Sequence, residues 1–181
     1  MNRALRQALW PPLRDSGFND RTQRVAWRRL DDGVDLVEIR SIGSDYDSIG
    51  CTSFSFTAYV AALMFSNRSP FPQPTGKARY RPHYWQCEPF VHRLSKTLAQ
   101  PWFRPFKRPA ASLVKPMRIH REGLEQIFRT DVHDRRDVWF VLEDGSNLDL
   151  VIEDLVAVVS TVGLPMLSRF HDPERRGDPP G

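Results

Sequence analysis

The chain has 181 residues, 40% hydrophobic and 27% charged, with a formal net charge of +4. That size supports one domain with one sizeable core, and no apolar run is expected to approach the length and apolarity of a membrane span. The first ten residues lack the uninterrupted apolar stretch of a signal peptide, so the expectation is a soluble cytoplasmic protein.

The elements are predicted as follows, in chain order. Leu5, Leu9 and Leu13 fall on one side of a helix over 3–16. Pro11 and Pro12 cannot donate to the preceding turn, so that helix must kink or restart. Gly17-Phe18 closes it. Residues 24–64 then read as three antiparallel strands. Val25, Trp27 and Arg29 alternate with Ala26, Arg28 and Leu30. Asp31-Asp32-Gly33 is a hairpin turn, with Gly33 expected to supply positive φ. The second strand runs Val34 to Ile42, and Gly43 to Gly50 is a polar loop. In the third, Cys51 to Met64, residues Thr52, Phe54, Phe56, Ala58, Val60, Ala62 and Met64 share one face. The opposite face is small and polar, which suits a sheet covered by helices on one side.

Four prolines between 70 and 82 exclude a regular element there. His83 to Cys87 is predicted as a fourth strand. Phe90 to Gln100 reads as either strand or helix, and the spacing of Val91, Leu94 and Leu98 favours helix. Residues 101–116 read as a Pro-rich loop and 121–130 as a short helix. Val138 to Leu142 is apolar on both faces, as a central strand would be. Ser146 and Asp149 have capping-box spacing. Leu148, Val151, Ile152, Leu155, Val156, Val159 and Val162 mark one helical stripe, and Gly163 is read as its stop. A last helix starts at Leu164-Pro165 and runs through Phe170. The predicted fold class is α+β: an antiparallel sheet of four to five strands with helices packed on one face. The predicted organisation is a single domain over 1–172, with a Pro-rich basic insertion at about 66–120 and a flexible tail at 173–181.

This order of elements resembles the bacterial domain-of-unknown-function 4304 family. The resemblance is carried by Leu13 through Gly17-Phe18, Trp27-Arg28-Arg29, and Phe54-Ser55-Phe56. Farther on it is carried by Trp139 with Asp144-Gly145-Ser146, and by Gly163-Leu164-Pro165 to Phe170. It covers residues 10–172, although 66–121 departs from the pattern and Pro11-Pro12 breaks the first helix. It implies a curved sheet flanked by helices. It implies no known activity and hands over no site residue.

Charge is strongly segmented: +5 over residues 1–30, −5 over 31–65, +11 over 66–121 and −7 over 122–160. The basic block holds the candidate binding residues Arg79, Arg81, Trp102, Arg104, Lys107 and Arg108, interleaved with Tyr80, Tyr84, Trp85, Phe103 and Phe106. Three readings follow. The block pairs with the acidic blocks of the same domain, as charge runs usually form solvated or neutralised faces. It meets an acidic protein, where Arg, Trp and Tyr dominate binding. Or it binds single-stranded nucleic acid by phosphate pairing and stacking. The function expected is a non-catalytic macromolecular interaction domain using the 77–108 surface.

Chemistry has fewer footholds. Cys51 and Cys87 form neither a disulfide framework nor a zinc spacing, and the five histidines (83, 92, 120, 133 and 171) show no short paired spacing. No Gly-rich phosphate loop is present, so no metal or cofactor is expected. An enzymatic alternative is a small hydrolase or transferase with Cys51 or a histidine in a cleft over the sheet.

Overall fold

A computed structural model describes residues 1–42, 54–65, 80–87, 89–98, 136–142 and 144–172. The expected helices at 121–130 and the 101–116 loop lie outside these residues, as does the tail.

The first helix restarts. Helix α1 spans Asn2–Ala8 and α2 spans Trp10–Asp15, with the two prolines in the first turn of α2. There a missing N–H leaves no hydrogen bond unmade. Leu5, Leu9 and Leu13 are all buried, as their spacing requires.

Five antiparallel strands follow in simple meander order: β1 (Asp20–Arg21), β2 (Val25–Arg29), β3 (Gly33–Ser41), β4 (Phe56–Met64) and β5 (Phe90–Arg93). Trp27 pairs with Leu36 and Leu36 with Ala61, while Val37 pairs with Val60. Directly paired residues share a face, so this register sorts the side chains into two layers. The α+β class is as predicted.

Both faces of the sheet are buried, not one. Val37, Ile39, Phe56, Ala58, Val60 and Ala62 pack against the helices. Val25, Trp27, Val34, Leu36, Ala61 and Leu63 form a second cluster with Cys87, flanked by Tyr80 and Tyr84. Residues expected to form a fourth strand supply this cover: Tyr84–Gln86 is a single 3-10 turn. The strand beside β4 is Phe90–Arg93, where helical spacing had suggested a helix. A four-residue segment has too few positions for periodicity to discriminate, and the open edge of β4 decides.

Gly33 does not have positive φ. A Cβ there would lie 2.5 Å from the Leu63 carbonyl oxygen, so close backbone approach demands the glycine.

The C-terminal third packs as one long helix. Helix α3 (Leu148–Val158) passes through a π-helical stretch, Val159–Gly163, into α4 (Leu164–His171). Gly163 is therefore no stop. A Cβ on it would sit 2.9 Å from Val60 Cγ1, so helix and sheet approach closely at this glycine. The wider π stretch immediately precedes Pro165, which lacks an N–H and crowds the preceding turn of a regular helix. Val162 turns outward, 41% exposed, while Val158 takes its place in the core. Leu148–His171 spans 24 residues and contains a window of mean hydropathy 1.9, so by length and composition alone it is long and apolar enough to cross a membrane, where no such run was expected. Its apolar stripe packs against the sheet.

Three further expectations are corrected. Phe54 is 47% exposed, whereas Phe56, Trp139, Leu155 and Val159 are buried together; strand pairing begins only at Phe56. Residues 138–142 make one bridge, Phe56 to Trp139, and form no central strand. Trp139 and Val141 join the core between sheet and helices, Trp139 stacking on Phe56 with centroids 5.7 Å apart, while Lys96 lies over the Phe140 ring. Ser146 does not cap α3. Asn147 occupies that position, and its side chain is turned to the 140–142 segment, accepting from Leu142 N and donating to Phe140 O.

Candidate functional site

The second sheet face is closed by the 80–87 segment, held by polar anchors set into an apolar bed. Trp27 Nε1 donates to Pro82 O at 2.8 Å, and Arg29 Nη2 donates to Tyr80 O at 2.8 Å. Asp20, nearly buried at the sheet edge, receives Arg81 at 2.6 Å and Arg29 at 3.0 Å. Arg81 holds its carboxyl down to about 2, against the opposing effect of burial, with Arg29 adding to the pull. The Arg81 guanidinium also lies over the Trp27 ring, 5.5 Å from its centroid. The segment's own turn is closed locally. His83 N donates to Gln86 Oε1, and Gln86 N donates back to His83 O.

Beneath the turn lies Glu38, whose strand neighbours are Val25 and Tyr59. It is 8% exposed. It accepts the Tyr84 backbone N–H at 3.1 Å, and both carboxylate oxygens lie 3.3 Å from His83 Nδ1. With Nδ1 donating to the carboxylate, the ring is oriented so that Nε2 points away from Glu38. Tyr84 stacks on Tyr59 at 3.9 Å, and its hydroxyl accepts from Arg40 at 2.5 Å. Arg93 lies over the outer face of that pair, 5.7 Å from the Tyr59 centroid, and burial pushes the Tyr59 phenol up. Beside this stack an open groove of about 550 Å³ is lined by Thr22, Arg24, Glu38, Arg40, Ser41 and His83.

The outer surface of the turn is aromatic. Trp85 is 54% exposed, its ring parallel to that of His83, and Val91 on β5 is 39% exposed. The Glu38–His83 pair has the form of an oriented base. Among the described residues, however, no nucleophile lies within hydrogen-bond reach of the His83 ring. Cys87 is fully buried, and its Sγ donates to His83 O. Burial, with Glu38 and Asp35 adding to it, pushes its thiol up to about 12, so it is no thiolate at neutral pH. Cys51 lies outside the described residues. Among those described, no group of three His, Cys, Asp or Glu side chains is placed to hold a metal.

Of the candidate binding residues, only Arg81 is described, and it pairs with the domain's own Asp20. Arg79, Trp102, Arg104, Lys107 and Arg108 lie outside the described residues. Two other cations of the basic block are also engaged internally. Arg93 pairs with Asp137 at 2.8 Å, and Lys96 donates to Val138 O while lying over the Phe140 ring. Sequence reasoning missed Glu38 and Asp20. The available signal was an acid inside an apolar strand, Val37-Glu38-Ile39, facing a basic segment far along the chain. Comparisons with protein-family models, with curated proteins and with solved structures found no match for this chain.

Proposed function

We propose that the chain is a non-catalytic macromolecular interaction domain and that its partner is a protein docking on the His83–Trp85–Val91 face. The observation that carries this reading is a half-exposed tryptophan on a turn anchored from beneath by Glu38, Trp27 and Asp20. Tryptophan is enriched among the few residues that dominate protein interfaces. A side chain on a pre-ordered turn also loses less freedom on binding. The described cations of the basic block are occupied within the domain, which favours aromatic contact over phosphate neutralisation. The resemblance to the domain-of-unknown-function 4304 family belongs to the same proposal and assigns no activity.

The test places a photo-reactive amino acid at Val91 in the full chain and irradiates cells. A discrete cross-linked protein is expected, lost in Trp85→Ala at unchanged Tm. A cross-link indifferent to Trp85→Ala overturns the reading. So does salt-dependent binding of single-stranded oligonucleotides by the purified chain, abolished by charge reversal at Arg104, Lys107 and Arg108.

A further inference from the structure

The N-terminal thirty residues carry +5, and the fold decides where that charge goes. Arg28 binds Asp35, Arg29 shares Asp20 with Arg81, and Arg14 lies against Asp15. Four cations remain, Arg3, Arg6, Arg21 and Arg24; Arg6 lies on α1 and Arg21 on β1. Both are exposed, and neither makes a side-chain hydrogen bond or ion pair to any described residue. Both nevertheless line the same place. Two adjoining recesses, about 440 and 120 Å³, share Arg6, Trp10 and Arg21 as walls. Two guanidinium groups around one recess repel each other, and an anion between them relieves that repulsion.

We infer that this recess binds a small phosphate-bearing molecule, with Arg6 and Arg21 as the pair that holds the phosphate. Three observations set the class. The planar guanidinium fork matches phosphate oxygens two at a time, and two forks suit a dianion. The larger recess has the size of a small-molecule site, which spans roughly 300–1,000 Å³. Its aromatic wall, Trp10, is 4% exposed, so its ring face offers no stacking platform of the kind single-stranded nucleic acid uses. Asn2 also lines the recess. Its Oδ1 is buried and meets no donor among the described residues, while its Nδ2 donates to Gln23. A hydroxyl on the ligand, or a protonated phosphate oxygen, supplies the missing donor. The inference does not depend on the docking reading.

The experiment is calorimetric titration of the full chain at low salt with pyrophosphate, citrate and a single-stranded oligothymidylate. Saturable one-to-one binding of pyrophosphate is expected, weakened by at least about tenfold in Arg6→Gln and in Arg21→Gln. Arg3→Gln, an exposed change outside both recesses, should bind like wild type. Pyrophosphate should also raise Tm in wild type and not in the two variants, whose own melts should match wild type without ligand. The inference is overturned by absence of saturable binding, by equal binding in wild type and both variants, or by tighter binding of citrate or the oligonucleotide.

Discussion

The indole N–H of Trp139 donates to Asp154 across 2.8 Å, joining the 136–142 segment to the middle of α3. The same carboxylate accepts the backbone N–H of Leu98 at 2.8 Å and of Thr97 at 3.2 Å, together with the Thr97 hydroxyl. One nearly buried acid on an otherwise apolar helix stripe thus gathers two irregular segments onto the core. Asp154→Ala leaves the buried Trp139 N–H unmatched, which costs about 1–3 kcal/mol, whereas the Thr97 and Leu98 donors are only partly buried. The expected loss is about 1–3 kcal/mol in urea unfolding. Asp154→Asn, which keeps an acceptor oxygen, should lose less. Equal stability of wild type and Asp154→Ala would show that this junction is not structural.

Gly163 and Val60 should behave as a coupled pair. The methyl of Gly163→Ala meets Val60 Cγ1 at 2.9 Å, tighter than packed side chains tolerate. Overpacking of this kind costs about 1–3 kcal/mol. Adding Val60→Ala removes the clash, so the double variant should be more stable than the two separate losses combined would give. Strict additivity in thermal melts would place the strain elsewhere.

Acid should loosen the edge held by Asp20. Its carboxyl lies at about 2 in the fold against 3.8 ordinarily, mainly through the Arg81 hydrogen bond. A group more acidic in the fold than in the unfolded chain stabilises fully above its unfolded value. That contribution fades as pH falls from about 4 to about 2. With Arg81 and Arg29 partly solvated, the contribution at neutral pH is about 1–2 kcal/mol. Asp20→Asn should lose that amount at pH 7, and most of the difference from wild type should be gone near pH 2. Parallel urea titrations across this range provide the check.

Cys87 should be silent in the native protein. In a Cys51→Ser background it is the sole thiol, and burial pushes it up to about 12, so it stays protonated. Iodoacetamide at pH 8 should label it only at the rate of unfolding, and a destabilising change such as Asp154→Ala should speed labelling. Labelling at the rate of a free thiol would contradict the sealed second layer.

The sequence alone determined the elements that obey a single local rule. Leucines at every fourth position made α1 and α2 readable, and prolines in a first turn marked the restart. Strict alternation located β2, β3 and most of β4, because side chains of a strand must point to opposite faces. The apolar stripe from Leu148 onward located the long helix. The tertiary structure decided everything that depends on a partner distant in sequence. Whether Phe90–Arg93 became strand or helix depended on the open edge of β4. The role of Gly163 depended on Val60, about a hundred residues earlier, and the true anchor on α3 was Asp154, whose donors lie at Thr97, Leu98 and Trp139. The candidate site follows the same division. The aromatic and basic character of the 80–93 segment was visible as composition. Which cations stay free was not, because an ion pair is fixed by where two chain segments meet, and composition records only how many charges there are. Asp20 took Arg81 and Arg29, and Asp35 took Arg28. Arg6 and Arg21 line one recess because residues of α1 and β1, fifteen positions apart in the chain, come together there, which no run of neighbouring residues encodes.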